Sequence, residues 1–153
     1  MKNNNESNTE HGMQNAALIP HSAFPIPNST VPHSEFRTPN LKARTKNFAL
    51  RVIDLVNALP DGRSAEVMGR QLLRSATSVG ANYRAACRAK STADFISKMG
   101  TVEEEADECM YWMELLSEAK LVHAETLQPL MAEANELVAI TVSSINTAKS
   151  QKK

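Results

Sequence analysis

The segment FISKMGTVEEEADECMYWMELL, residues 95–116, decides the fold class of this chain. Apolar or small residues recur in it at alternating intervals of four and three, at Phe95, Met99, Val102, Ala106, Cys109, Met113 and Leu116. An α-helix has 3.6 residues per turn, so this period aligns the seven side chains along one side of a helix. Ser91, with Asp94 three residues later, is a variant of the capping box and predicts where the helix begins. The segment therefore predicts a long helix with one buried stripe.

Three other segments carry stripes of the same kind. Their members are Leu41, Thr45, Phe48, Val52, Leu55 and Leu59 in the first segment, Met68, Leu72, Ala76, Val79, Tyr83 and Ala86 in the second, and Leu127, Leu130, Ala134, Leu137, Thr141 and Ile145 in the last. Such stripes are typical of helices that pack against one another. Gly80 interrupts the second segment in a run of small residues, which favours a close approach by a neighbouring helix.

The ends of these helices are predicted from capping residues. Thr38 is expected to cap the first helix, with Pro39 at its first position. Ser64 is expected to cap the second helix, which would run to Ala89, and the fourth would begin near Glu125. Because the intervening links are short, consecutive helices must be antiparallel neighbours. The sequence thus predicts an all-α, up-down-up-down four-helix bundle over residues 38–149, with a frayed C-terminus at 150–153.

Residues 1–37 differ in composition from the rest of the chain. They are rich in Asn, Ser, His and Pro and contain few large apolar residues. Burial could not offset the entropy lost on ordering such a stretch, so we expect a disordered N-terminal tail. Its histidines (His11, His21 and His33) are interpreted as solvated residues rather than metal ligands. The Phe24–Pro27 segment resembles a short extended ligand only weakly.

Several classes of protein are disfavoured by composition. No apolar run approaches the roughly 20 residues that span a bilayer, and the N-terminus lacks the order of a signal peptide. Cys87 and Cys109 form no Cys-x-x-Cys pair and are expected to be small buried or half-buried residues in a reducing compartment. We therefore expect a cytoplasmic protein without a membrane partner.

The charges of the chain are divided between its two halves. The formal net charge is zero. Residues 38–90 nevertheless hold ten Lys and Arg against three Asp and Glu, whereas residues 91–153 hold five against eleven. The first segment contributes Lys42, Arg44, Lys46 and Arg51. The second segment carries Arg70, Arg74, Arg84 and Arg88, which fall within about 40° of one line on a continuous helix, and Lys90 follows them.

Three interpretations of this arginine row remain open. Guanidinium groups match phosphate oxygens, so the row could bind nucleic acid. It could instead pair with the acidic residues of the third helix, within one bundle or between subunits. It could also be a plain solvated face. For subunit contact, the candidate residues are Glu104, Glu108, Tyr111 and Trp112.

Neither a metal centre nor a catalytic centre is predicted. Di-iron bundles use Glu-x-x-His motifs, but Glu104, Glu105 and Glu108 have no histidine three residues later. Ser75 and Ser78 lack a candidate base, and no glycine-rich phosphate loop is present. We expect no cofactor, no bound metal and no enzymatic activity.

The block from Gln71 to Ala86, QLLRSATSVGANYRAA, resembles a known bacterial family when taken with Asp94–Lys98, Glu104–Glu108 and Tyr111–Leu116. This is the family of four-helix-bundle proteins first noticed as reading frames in intervening sequences of large-subunit ribosomal RNA genes. The resemblance covers roughly residues 40–148. The usual family form has Ile-Pro-Ala-Asn-Ile-Ala-Glu-Gly where this chain has Val-Gly-Ala-Asn-Tyr-Arg-Ala-Ala from Val79 to Ala86, which indicates a sub-branch.

The resemblance implies a helical bundle that assembles as a ring, typically a pentamer. The family is similar to the accessory protein of diversity-generating retroelements, a basic barrel thought to bind nucleic acid and a reverse transcriptase. The resulting hypothesis is a homo-oligomer that binds structured RNA or DNA through Arg70, Arg74, Arg84, Arg88 and Lys90. The alternative is a scaffold whose basic and acidic halves pair between subunits in a ring, with a protein partner.

Overall fold

The structure is a computed structural model and describes residues 40–151. These residues form four helices joined by short links. They are α1 (Leu41–Asn57), α2 (Arg63–Ala86), α3 (Thr92–Glu118) and α4 (Ala124–Ser150). The predicted tail, with its histidines and its Phe24–Pro27 segment, lies outside the described residues, as does Thr38. The predicted all-α four-helix fold is confirmed.

The starts of the first two helices differ from the predictions. Asn40 caps α1, because its side-chain oxygen accepts a hydrogen bond from the Ala43 N–H at 3.2 Å, so the helix begins at Leu41 rather than at residue 39. Gly62 precedes α2 with a φ of 153°, a backbone conformation that glycine adopts readily. Ser64 is therefore the second residue of α2 and makes no cap, which corrects the prediction.

The start of α3 is confirmed, with one change in its cap. Ser91 Oγ accepts a hydrogen bond from the Asp94 N–H at 3.1 Å. The Asp94 carboxylate does not return to Ser91 as in a full capping box; it accepts from the Lys90 N–H at 2.9 Å and pairs with Lys98. The link and the first turn of α3 are thereby fixed to each other.

Each of the three links has five residues, which forces consecutive helices to run antiparallel. The link after α3 begins with a Schellman motif. Lys120 has a φ of 57° and donates its N–H to the Ser117 carbonyl at 2.9 Å, and the Leu121 N–H donates to the Leu116 carbonyl at 3.0 Å. This turn directs the chain back along α3.

The predicted stripes form the core. Every predicted stripe residue of α4 is buried, and so is every one of α3 except the half-buried Phe95. In α2 the stripe residues Met68 and Tyr83 are half-buried and pack against the core, and the other four are buried. Leu59 does the same from the link after α1, because that helix ends at Asn57. Periodicity alone thus located the core.

Helices that follow each other in sequence make the main contacts of the bundle. Contact between α1 and α4 is much slighter than the other three helix contacts. An ion pair joins this seam: Arg44 of α1 donates to both carboxylate oxygens of Glu133 of α4, at 2.6 and 3.0 Å. None of the described helices is long and apolar enough to cross a membrane.

Candidate nucleic-acid interface

The arginine row is shorter on the helix than the sequence predicted. Helix α2 ends at Ala86, and the Arg88 N–H donates to the Ala85 carbonyl at 3.0 Å in the turn that follows. Arg70, Arg74 and Arg84 therefore lie on the helix, whereas Arg88 and Lys90 belong to the link. The prediction of a continuous helical row is wrong for Arg88, because no capping signal in the sequence marks the end at Ala86.

Arg70 pairs within its own helix. Its Nη2 lies 2.9 Å from the Glu66 carboxylate one turn earlier, and both side chains are about 70% exposed, at 69% and 73%. Exposed pairs of this spacing stabilise a helix by only about 0.3–0.5 kcal/mol. A stronger anion could therefore displace Glu66 from Arg70 at little cost.

Arg74 makes more hydrogen bonds than Arg70, and its charged partners lie on α3. Its Nη2 donates to both carboxylate oxygens of Glu108, at 2.9 and 3.1 Å, and its Nε donates to the Gln71 side chain at 3.2 Å. A second α3 carboxylate, that of Glu105, lies 4.0 Å from Nη1. Of the three interpretations of the row, pairing with the acidic helix within one bundle applies to this residue.

Arg84, Arg88 and Lys90 have a different environment. All three are exposed, and within residues 40–151 no carboxylate lies within 4.0 Å of their side-chain nitrogens. The nearby Asp94 carboxylate is already bound to Lys98 and to the Lys90 backbone. Within residues 40–151, Arg70 and Arg74 at the N-terminal end of the row are therefore ion-paired, whereas Arg84 and Arg88 are not, and Lys90 lies close enough to Asp94 to help lower the pKa of that carboxyl.

The four residues predicted for subunit contact divide into two kinds. Glu104 and Tyr111 are exposed, and Tyr111 exposes 52% of its surface. Glu108 and Trp112 are half-buried and bind each other, since Trp112 Nε1 donates to Glu108 at 3.0 Å. This hydrogen bond, and then the neighbouring Arg74, lower the pKa of Glu108. Tyr111 packs edge-on against Trp112 with ring centroids 5.0 Å apart.

One carboxylate next to this group is incompletely paired. Glu105 Oε2 is buried and has no hydrogen-bond partner among the described residues, although Arg74 lies near its other oxygen. Glu105 also faces the buried thiol of Cys109, whose pKa is raised by burial and then by Glu105 and Glu108. Buried groups like these cost stability, so this part of the α2–α3 seam is packed around polar groups rather than built for maximum stability.

The chemistry available to the described residues is narrow. Within residues 40–151, no three His, Cys, Asp or Glu side chains are grouped so that they could hold a metal ion. Cys109 is buried as expected, but Cys87 is exposed, which corrects the prediction that both thiols are covered. The cause is again the end of α2: Cys87 is its C-cap and begins the link.

Comparisons with protein families and with solved structures both gave a match. Residues 40–143 match the family described as 23S rRNA-intervening sequence protein. Among solved structures, the chain is similar to a protein of unknown function from the S23 ribosomal protein family of Bacteroides thetaiotaomicron. The two are 33% identical, with a TM-score of 0.62, over 69% of this chain and 97% of that one. Comparison with curated proteins gave no match.

Proposed function

Because the chain belongs to the 23S rRNA-intervening sequence protein family, we propose that it is a non-enzymatic, oligomeric bundle that binds structured RNA or DNA through basic residues of α2 and the link after it. The observation that carries the proposal is that Arg84, Arg88 and Lys90 are exposed and make no ion pair within residues 40–151. Exposed cations without acidic partners are the groups that release counterions when they meet phosphates.

The residues of the row contribute unequally in this proposal. Arg84, Arg88 and Lys90 contact phosphates directly. Arg70 can join them by leaving Glu66, since that pair is exposed and weak. Arg74 contributes least, because transferring it to a phosphate would leave the half-buried Glu108 with only Trp112 as a partner.

The proposal is tested by filter binding of the full chain to a structured RNA at two salt concentrations. We expect affinity to fall steeply with salt, with a slope in log–log form of about one per phosphate contact. The variant with Arg84→Glu and Arg88→Glu should bind weakly, and Arg74→Gln should bind nearly as the wild type. If the affinity depends neither on the salt concentration nor on the Arg84→Glu and Arg88→Glu substitutions, this surface does not bind nucleic acid.

A second candidate function, a scaffold ring, is favoured by the outer face of α3. This face exposes four acidic residues that make no ion pair among the described residues: Glu104, Asp107, Glu114 and Glu118. Tyr111 lies among them and is one of the exposed large hydrophobic residues. An acidic surface with a central aromatic residue is suited to the basic surface of another subunit in a head-to-tail ring.

Light scattering of the purified chain tests the ring. We expect an oligomer, with a pentamer as the form that the family resemblance implies, and Tyr111→Glu should shift it to smaller species. High salt should weaken it if opposite charges join the subunits. A monomer at micromolar concentration in low salt would contradict the ring while leaving nucleic-acid binding open to its own test.

A further inference from the structure

Helices α1 and α2 approach each other closely at Thr45 and Gly80. A Cβ atom placed on Gly80 would lie 3.7 Å from the Thr45 carbonyl oxygen, an ordinary contact distance that leaves no room for a larger side chain. Thr45 is buried and donates its hydroxyl to the Leu41 carbonyl at 2.8 Å, so its polar group is satisfied at the crossing. The two helices therefore lie side by side at this level.

This crossing sets which cations of the two helices are neighbours. The helices are antiparallel, so residues before Thr45 lie beside residues after Gly80. Lys42 precedes Thr45 by three positions and Arg84 follows Gly80 by four, which places them at the same level at one end of the bundle. Because the helices are antiparallel, Lys46 lies one turn from Lys42 toward the middle of the bundle, whereas Arg88 lies four positions beyond Arg84, in the link at the end of the bundle.

The four cations make a two-sided positive surface, which we call the α1–α2 cation groove: Lys42, Lys46, Arg84 and Arg88. All four are exposed, and none has a carboxylate within 4.0 Å in the described part of the chain. The acidic residues of α1, α2 and the link between them are Asp54, Asp61 and Glu66, and they lie toward the opposite end. Within residues 40–151, no acidic residue of α1 or α2 therefore lies at the level of these cations, and Glu133 and Glu136 of α4 pair with Arg44.

The exposed residues beside Arg84 on α2 are small and include no aromatic ring. Thr77 and Ala81 are the exposed residues of α2 that precede Arg84 on the same side, and both are small. Single-stranded nucleic acid is usually held by stacking its bases on aromatic side chains. The aromatic residue of residues 40–151 that is most exposed, Tyr111, lies on α3 instead.

We infer that the α1–α2 cation groove binds the phosphate backbone of a nucleic-acid duplex without reading its bases. The four cations form a staggered band across the two helices, from Lys46 past the level of Lys42 and Arg84 to Arg88 in the link, and such a band suits a continuous ribbon of phosphates. The small exposed residues beside Arg84 leave the cations accessible to a wide duplex, and among the described residues no exposed aromatic platform lies on this side, which disfavours a single strand. The inference rests on the proposed function and deepens it, because it adds Lys42 and Lys46 to the surface and excludes Arg74.

The test measures binding of the full chain by fluorescence anisotropy to a 20-base-pair RNA duplex, the DNA duplex of the same sequence and one of the RNA strands alone. Two groove variants, Lys42→Glu with Lys46→Glu and Arg84→Glu with Arg88→Glu, are compared with a control, Arg63→Glu with Lys120→Glu. The control makes the same charge change at two exposed residues at the opposite end of the bundle. Circular dichroism melting shows whether each variant is folded.

The expected result is that each groove variant binds the RNA duplex at least about tenfold more weakly and lowers the salt slope by about two, one for each phosphate that the substituted side chains no longer bind. The control should change affinity by less than about threefold. The DNA duplex arm shows whether the groove prefers the A-form backbone or accepts both. A single strand bound as tightly as the duplex, with the same dependence on the groove, would overturn the inference.

The experiment distinguishes an error in this inference from an error in the proposed function. If the wild type binds the duplex and the control loses as much affinity as the groove variants, the groove inference is wrong and nucleic-acid binding stands. If the wild type binds none of the three nucleic acids at low salt, the proposed function is wrong and the groove inference fails with it. A groove variant that does not fold is replaced by Lys42→Ala with Lys46→Ala or by Arg84→Ala with Arg88→Ala. These alanine variants should also lower the salt slope, and an unchanged slope would overturn the inference.

Discussion

Arg74 and Glu108 bind each other across the central pair of helices, with one guanidinium nitrogen donating to both carboxylate oxygens at 2.9 and 3.1 Å. The same carboxylate accepts the Trp112 N–H at 3.0 Å. Two donors, one from each helix, thus share one acceptor group. Because the Arg74–Glu108 bonds need a particular register of α2 against α3, the pair favours that register over a slip by one turn.

A double-mutant cycle with Arg74→Ala and Glu108→Ala measures this relationship. Arg74 is 58% exposed, so we expect a coupling energy of only about 0.5–1 kcal/mol. Glu108→Ala alone should cost more, about 1–2 kcal/mol, because the half-buried Trp112 N–H also loses its partner. Urea unfolding followed by Trp112 fluorescence gives all four free energies of unfolding. Additive single effects would show that the pair is not coupled.

Acid should destabilise the bundle through two carboxylates of α3. The Trp112 hydrogen bond and Arg74 lower the pKa of Glu108, and the hydrogen bonds from Lys98 and the Lys90 backbone lower the pKa of Asp94. Each folded pKa is below its unfolded value, so the unfolded chain binds more protons in acid. The stabilisation is therefore complete above the unfolded pKa values of about 4 and is lost as the pH falls through the folded ones.

The measurement is the urea midpoint between pH 7 and pH 3. We expect it to fall below about pH 4.5, and the variant with Asp94→Asn and Glu108→Gln should show a shallower fall. An equally steep fall in that variant would assign the acid sensitivity to other groups. Glu114→Gln is a matched control, because Glu114 is exposed and makes no ion pair within residues 40–151.

The two glycines inside α2 should respond differently to alanine. At Gly80 the new methyl group would meet Thr45 at 3.7 Å, so Gly80→Ala should stabilise the protein by about 0.5–1 kcal/mol through helix propensity. At Gly69 it would lie 2.7 Å from a Leu59 methyl group, which must move. We expect Gly69→Ala to be less stable than Gly80→Ala by about 1 kcal/mol or more in urea unfolding. Equal gains at both sites would contradict the packing described between α1 and α2.

The two thiols should be distinguished by their reactivity. Cys87 is exposed, whereas Cys109 is fully buried and its pKa is raised, so it is a poor nucleophile even when a reagent reaches it. A disulfide reagent should modify one thiol quickly in the folded protein and the second only in denaturant. Cys87→Ser should abolish the fast reaction. Two fast thiols in the native protein would show that α3 opens readily.

Periodicity predicted the fold, because an apolar stripe depends only on burial. The stripe from Met99 to Leu116 is buried throughout, and it needed no knowledge of its neighbours. Helix ends were harder: Asn40 and Gly62 precede α1 and α2, whereas the sequence favoured Thr38 and Ser64. Serine, threonine and asparagine are all good caps, so composition does not choose between candidates a few residues apart.

The candidate site could be predicted only in part. The sequence identified the arginine row. Whether each arginine is ion-paired, however, depends on how the antiparallel helices α2 and α3 are aligned along each other. Arg74 meets Glu108 at a separation of 34 residues, whereas Arg84 meets no carboxylate in the described region. The exposure of Cys87 and the position of Arg88 both follow from the end of α2 at Ala86. No Gly or Pro follows Ala86 directly, so the sequence does not predict a helix end there.

The slight contact between α1 and α4 has a consequence for how the bundle opens. Proteins open in cooperative units whose free energies follow the density of buried contacts. The seam that Arg44 and Glu133 close is the thinnest of the four, so α1 is expected to detach before α2 and α3 separate. In a hydrogen-exchange experiment, the amides of α1 would then exchange through a sub-global opening. The amides of α2 and α3 would exchange only when the whole bundle unfolds. Helix α1 supplies two of the four residues of the α1–α2 cation groove, so detachment of α1 would disrupt the groove. A bound duplex would therefore slow amide exchange in α1.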